Sequence, residues 1–262
     1  MIFQGFYKDE QRYHCDHHSL LVDTREISGS EYGEHAVIQH LLTEFELGEF
    51  FGYFSWKADL KLGGAFRRLL FSIEDLQSNY DFVFVNAMVF GRAFFRCPFK
   101  QGEWSGHHGM LECARELGLV EEFDYYAMNH FIVGNRDFWS FFLDFHRDLD
   151  SKMASASGGV DIRAASSGFY VRNPGMPMST FIRERALNNV MKRSGLSGFE
   201  FKLPLDNFCQ KYSKALGAKT SQIHSLYQNN DLTNEDLAAF GFGGSESIKL
   251  LTSLDDPEMR LI

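Results

Sequence analysis

Tyr80-Asp81-Phe82-Val83-Phe84-Val85-Asn86 decides how the rest of the chain reads. Its apolar centre is entirely aromatic or β-branched and is held between an aspartate and an asparagine, the pattern of a short strand covered on both faces. Such a strand needs helices above and below its sheet. Working outward, strand-like and helix-like stretches alternate through about the first two hundred residues, which predicts an α/β fold around a mixed or parallel sheet. Upstream, Ile2 to Tyr7, Leu20-Leu21-Val22 and Phe50 to Ser55 are strand-like. Val37, Ile38, Leu41, Leu42 and Phe45 recur at helical spacing after Ser30 or Glu31, and Phe66, Leu69, Leu70 and Ile73 line one side of a helix over Ala65 to Leu76. Downstream, Gly106 and Gly109 break the chain before a helix from about Met110 to Leu117, and Met128 to Val133 is an apolar strand. Phe138, Phe141, Phe142 and Phe145 put a buried stripe on a helix from Phe138 to Leu149. Ser151 to Val160 reads as a loop, a candidate mobile segment beside a site. Gly168 to Val171 reads as a strand. Ser179 or Thr180 caps a helix to about Arg193, with Ile182, Ala186 and Val190 inward and Glu184 on the far side.

Composition narrows the function classes. The 262 residues are 44% hydrophobic and 23% charged, with 27 Phe, 10 Tyr and 3 Trp, which excludes a disordered or fibrous chain. A chain this long buries about three quarters of its unfolded surface and needs no disulfide to hold a core. Cys15, Cys97, Cys113 and Cys209 form no CxxC and read as reduced thiols. With 26 Lys and Arg against 35 Asp and Glu, the net charge of −9 disfavours a nucleic-acid binder that works by neutralising phosphates. The amino terminus lacks a basic segment followed by an apolar one, and no run approaches a membrane span, so a cytoplasmic location is expected. From Ile182 to Lys219 there are eight basic and three acidic residues, whereas Asn229 to Ile262 has two basic and seven acidic. Residues 1–216 are read as one α/β domain and 217–262 as a small helical appendage, with Gly241, Gly243 and Gly244 turning the chain before a last helix.

The usual chemical signatures are sparse. His14-Cys15-Asp16-His17-His18 has transition-metal ligand types, but neighbours on an extended segment alternate faces and cannot all reach one ion. His107-His108 with Cys97 and Cys113 lacks any paired-ligand spacing. There is no GxxxxGK[ST], no GxGxxG after the first strand and no GxSxG elbow. Asp148-Leu149-Asp150 is a DxD placed at a helix end, where it reads as a solvated terminus. No metal site is expected.

Several phrases in order resemble one family over about residues 1 to 195. They are Ile2-Phe3-Gln4 with Tyr7, then Asp23, Glu34 with Ile38, and Phe51-Gly52-Tyr53-Phe54-Ser55-Trp56-Lys57 with Lys61 and Gly63. Tyr80 to Asn86, Gln101-Gly102-Glu103 with His107 and Gly109, Asn129 to Phe138, and Glu184-Arg185 continue the series. The chain thus resembles bacterial glycosyltransferase-like proteins of capsule and O-antigen polysaccharide assembly, which are similar to nucleotide-diphospho-sugar transferases of GT-A fold. Trp56, Ala87 and His108 stand where that family often has proline, and the segment after about 215 lies outside the resemblance.

The resemblance implies a GT-A-like, Rossmann-like nucleotide-binding half followed by an acceptor half. It implies transfer of a sugar from a UDP-, GDP-, CMP- or dTDP-sugar to a glycan or lipid-linked glycan acceptor, with peripheral contact at the inner membrane if the acceptor is lipid-linked. Tyr7 and Asp23 would hold base and ribose, with Ser55 and Asn86 also at the donor. Lys57, Lys61 or Arg172 would balance charge on the leaving diphosphate, with Arg172 and Arg185 also candidates for the acceptor. Glu184, Glu103 or His107 would be the general base of an inverting reaction. The central strand ends in Val85-Asn86-Ala87 instead of a DxD, which disfavours a divalent metal and favours cationic side chains. The same departure keeps open a catalytically silent protein that binds a glycan or a partner enzyme.

Overall fold

The computed structural model describes residues 1–27, 34–44, 50–119, 123, 126–127, 131–155, 177–229 and 232–255. Arg172, the expected strand at Gly168 to Val171 and loop residues 156–160 lie outside the described residues. Six strands form one sheet: β1 (Ile2–Phe6), β2 (Leu20–Asp23), β3 (Phe50–Ser55), β4 (Phe82–Val85), β5 (Ile132–Asn135) and β6 (Gly198–Phe201). Their spatial order is β2-β1-β3-β5-β4-β6. β1 runs parallel to β2 and β3, β4 runs parallel to β6, and β5 alone is reversed against β3 and β4. The fold is α/β with a mixed sheet, compatible with a Rossmann-like arrangement.

The described helices are α1 (Glu34–Glu44), α2 (Ala58–Lys61), α3 (Phe66–Leu76), α4 (Val89–Phe95), α5 (Pro98–Trp104), α6 (Met110–Glu116), α7 (Arg136–Ser155), α8 (Met178–Ser194), α9 (Leu205–Leu216), α10 (Thr220–Gln228), α11 (Asn234–Ala239) and α12 (Ser245–Asp255). Because side chains alternate along each strand, the sheet divides the core in two. Phe50, Phe54, Val83 and Val85 pack with α2, α3, α4 and α9 to α12. Phe3, Phe51, Tyr53, Phe82 and Phe84 pack on the opposite face with α1, α7 and α8. A third cluster joins α5 and α6 to the late half of α7 and to α8.

Several expectations change. Residues 151–155 complete α7 instead of starting a loop: Ser151 and Ser155 return their hydroxyls to carbonyls four residues back, and Lys152 pairs with Asp148 at 2.7 Å. Gln101-Gly102-Glu103, for which the resemblance implies a loop after the central strand, lies inside α5, which Pro98 starts as a first-turn proline. α8 begins after Pro177 and not after Ser179 or Thr180. Nor does α8 keep an open outer side, since Arg185 through Met191 are all buried between α5, α7 and the sheet. β6 carried no clear signal, because its four residues, Gly198-Phe199-Glu200-Phe201, are too short a run to establish an alternating pattern. The helices after residue 217 are not set apart from the domain. Ile223, Tyr227, Leu237 and Leu251 share one core with Phe54 and Val83.

Close approach of aromatic rings to glycines fixes the strand packing. A Cβ on Gly5 would stand 2.1 Å from the Tyr53 hydroxyl and 2.7 Å from its ring, while one on Gly198 would meet the ring of Phe82, its cross-strand neighbour, at 2.3 Å. Gly5→Ala is expected to cost about 1–3 kcal/mol by overpacking. Adding Tyr53→Leu should restore part of that loss in urea unfolding, and an unaltered midpoint in Gly5→Ala alone would refute the packing account.

Candidate functional site

The strand order reverses at β1, and the carboxyl ends of β2, β1 and β3 flank that reversal. β1 connects to β2 on one side and the chain then crosses to β3 on the other, and ligands of open α/β sheets bind outside such a reversal. The strand ends present, in spatial order, Asp23 on β2, Tyr7 after β1, Ser55-Trp56-Lys57 on β3 and Asn86 after β4. Five donor-site candidates from the sequence, Tyr7, Asp23, Ser55, Lys57 and Asn86, therefore lie at one end of the sheet, and Lys61 follows at the end of α2.

Local bonds shape each of them. The Tyr7 backbone N–H donates to Gln11 Oε1 at 2.9 Å, while the Tyr7 ring stays about half exposed. Thr24 Oγ1 donates to the Phe6 carbonyl at 3.1 Å, tying the ends of β1 and β2 together. Asp23 is not a free carboxylate. Arg25 Nε donates to it at 2.8 Å, and that guanidinium holds its carboxyl below the ordinary range. Arg25 also reaches Asp9 at 2.9 Å. Ser55 accepts Gln4 Nε2 at 3.4 Å through its carbonyl, and the Trp56 N–H continues the ladder to Gly5 at 2.9 Å.

Lys57 lies over the Trp56 ring, 5.4 Å from its centroid, and Lys61 lies 5.8 Å from the Phe131 centroid at the start of β5. Lys61 is nearly buried on the one-turn helix α2. Asn86 is buried with its Oδ1 accepting the Met88 N–H at 3.0 Å, while its Nδ2 has no hydrogen-bond partner. Trp56 Nε1 is likewise buried and unpaired. Orphaned donors of this kind cost about 1–3 kcal/mol each unless a partner satisfies them.

The candidate bases and acceptor groups gather elsewhere, around α5, α6 and α8. Glu103 accepts the Gly109 N–H at 3.0 Å and the Leu111 N–H at 3.1 Å, so both of its oxygens are engaged at the start of α6. His107 is buried against the Phe181 ring at 4.2 Å, and burial, with Arg185 and His108 adding to it, pushes the imidazole down to about 3. Arg185 is buried and not surface-facing. It donates to the Pro98 carbonyl at 2.9 Å, the Phe181 carbonyl at 3.2 Å and Gln101 Oε1 at 3.0 Å. Gly102 makes room for it, since a Cβ there would meet Arg185 Nε at 2.9 Å. Glu184 keeps partial exposure, 3.6 Å from the Arg185 guanidinium.

Tyr126, a residue without any sequence signal, joins the two groups. It packs on Met88 at the end of β4, and its electrostatic neighbours include Arg185 and Glu184 on α8 and Asp255 on α12. Its hydroxyl is buried without a partner, and burial pushes its pKa well above the ordinary phenol value.

Metal ligation has one candidate among the described residues. Asp16, His17 and His18 bring ligand atoms within 4.8 Å of one another. Arg67 Nη2 stands 3.4 Å from His17 Nε2 and 3.2 Å from His18 Nε2, so a cationic donor already faces both imidazoles. The Asp148-Leu149-Asp150 phrase lies within α7 and not at its end. Asp148 pairs with Lys152, Asp150 with Arg183 at 2.9 Å, and Leu149 points into the core. All four cysteines are free thiols, and among the described residues no helix is long and apolar enough to cross a membrane. Comparison of the chain with protein-family models, with curated proteins and with solved structures found no match.

Proposed function

We propose that this chain is a glycosyltransferase of GT-A-like fold that moves a sugar from a UDP-, GDP-, CMP- or dTDP-sugar to a glycan or lipid-linked glycan acceptor. The observation that carries the reading is the gathering of Tyr7, Asp23, Ser55, Lys57 and Asn86 at the carboxyl ends of the strands around the reversal of strand order, with Lys61 following at the end of α2. Tyr7 offers an exposed ring for a base. The Asp23–Arg25 pair offers both an acceptor and a donor to ribose. Lys57 and Lys61 supply positive charge where a diphosphate would leave, and the unpaired Asn86 amide supplies a neutral donor. Charge balance by lysine instead of a DxD-held metal follows from that residue set.

Among the candidate bases, Glu184 is favoured. Glu103 has both oxygens committed to backbone N–H groups, and an imidazole held near 3 is too weakly basic to take a hydroxyl proton at neutral pH. With a lipid-linked acceptor the protein would work in the cytoplasm against the inner leaflet.

A thermal-shift screen with UDP-, GDP-, CMP- and dTDP-sugars, each with Mn²⁺ or with a chelator, tests the reading. A donor at a hundredfold its Kd adds about 2.7 kcal/mol of stability, roughly 5–10 °C for a domain of this size. A shift by one nucleotide class that persists in chelator is expected, and no shift with any donor would overturn the reading. The commitment of Glu103 and Arg185 to internal bonds favours one second reading, a silent protein of the same fold that binds a glycan or a partner enzyme. Donor binding without turnover would favour it.

A further inference from the structure

Lys211 sits on α9, outside the strand-end rim, yet three separate segments of that region converge on it. Its Nζ donates to the Lys61 carbonyl at 2.7 Å, the Ala87 carbonyl at 3.0 Å and the Asp255 carbonyl at 3.1 Å. An ammonium has three N–H donors, so these three acceptors use its full capacity. The first acceptor ends the turn that follows β3. The second follows Asn86 at the end of β4, and the third is on α12. The group is buried, and the adjacent Asp255 carboxylate extends the junction. Asp255 Oδ2 accepts the Phe90 and Gly91 N–H groups, both at 2.9 Å, at the start of α4, and Oδ1 accepts the Tyr212 hydroxyl at 2.8 Å.

We infer that Lys211 is a positioning residue of the strand-end site: by binding the Lys61 and Ala87 carbonyls at once, it fixes the spacing between the β3 turn that carries Lys57 and Lys61 and the β4 end that carries Asn86. Leu62 and Ala87 also share an apolar core, but a donor bound to both carbonyls fixes their separation more narrowly than non-directional packing does. Guanidinium is planar and larger, so arginine does not reproduce the geometry. The segment after residue 217 thereby enters the site's architecture through the Asp255 carbonyl. For its ligand the inference rests on the nucleotide reading above, and for its geometry on these hydrogen bonds alone.

The test separates positioning from plain stability by using two variants of the same junction. Lys211→Met in the Asp255→Asn background removes the ammonium without leaving an unpaired buried charge, and the amide that replaces the carboxylate can still accept from α4 and donate to the Tyr212 oxygen. Tyr212→Phe weakens the same network while leaving the three carbonyl bonds in place. Binding of UDP-glucose, GDP-mannose, a CMP-sugar and a dTDP-sugar is titrated in wild type and in both variants. Amide hydrogen exchange at Lys61, Leu62 and Met88 is measured alongside.

The expected result is that the donor bound by the wild type is bound normally by Tyr212→Phe, and at least about tenfold more weakly by the double variant, with faster exchange at the three amides. Equal loss in both variants, or normal affinity in the double variant, overturns the inference. If no donor binds the wild type, the nucleotide reading is what fails. The exchange data then decide the tie by themselves: faster exchange in the double variant supports it and unchanged exchange overturns it.

Discussion

Asp255→Ala is expected to destabilise the protein by about 3–5 kcal/mol, the usual cost of removing one partner from a buried charged pair. The side chain is fully enclosed, and its loss strands the Phe90 and Gly91 N–H groups and the Tyr212 hydroxyl and removes a negative charge that interacts with the Lys211 ammonium, whose three carbonyl bonds remain. Asp255→Asn should cost clearly less, because it removes a buried charge yet keeps an acceptor for α4. A second signature lies in pH. Burial pushes the Asp255 carboxyl up to about 6 from an ordinary 3.8, against the pull of Lys211. The folded state then holds the proton more tightly than the unfolded one. Its contribution to stability is complete below about 3.8 and is lost as pH rises through about 6. Asp255→Ala should lack that falling component, so its urea midpoints should climb more steeply than those of wild type between about pH 4 and pH 6; a loss below about 1 kcal/mol would mean the junction is not as enclosed as its hydrogen bonds indicate.

His107 acts in the opposite direction and with larger amplitude. Its imidazole is held neutral, at about 3 in the fold against an ordinary 6.5, because it is buried beside Arg185 and Phe181. The unfolded chain takes up the proton first, so this contribution is complete above about 6.5 and is lost as pH falls towards 3. At about 1.4 kcal/mol per pH unit an interval of this width amounts to several kcal/mol, opposite in sign to the Asp255 component. Between about pH 4 and 6 the rising His107 component and the falling Asp255 component therefore largely offset each other in wild type, leaving the His107 gain visible below about pH 4. His107→Gln, which keeps a neutral polar side chain, should remove that gain and leave the falling Asp255 component exposed. An acid limb in His107→Gln identical to that of wild type would show that the imidazole is not the group responsible. The same neutral state explains why His107, attractive in sequence as a base, is better understood as part of the packing between α5 and α8.

The strands were legible because their signal is local. Phe82 to Val85, Phe50 to Ser55 and Ile2 to Phe6 announce themselves by apolar runs that only a covered sheet can bury, and the helices of Val37-Ile38-Leu41 and Phe66-Leu69-Ile73 by a repeating face. The resemblance names Tyr7, Asp23, Lys57 and Asn86 for the donor, and each lies at or just past a strand end, so that parallel strands bring them to the same edge. The bases were harder. Nothing around Glu103 says that both its oxygens will be taken by the first turn of α6, and the spacing of α8 suggests an outward Glu184-Arg185 pair until α5 is seen to pack across it.

By itself, then, the sequence determined the α/β class and the strands of the first half, which follow from apolar periodicity within a few residues. Only the tertiary structure decided that β5 is reversed, that Arg185 and His107 are interior, and that Lys211 and Asp255 lock the late helices to the ends of β3 and β4. Those outcomes depend on which distant carbonyls and carboxylates meet a buried charge. Contacts separated by 150 residues, as between Lys211 and the Lys61 carbonyl, leave no periodic trace along the chain.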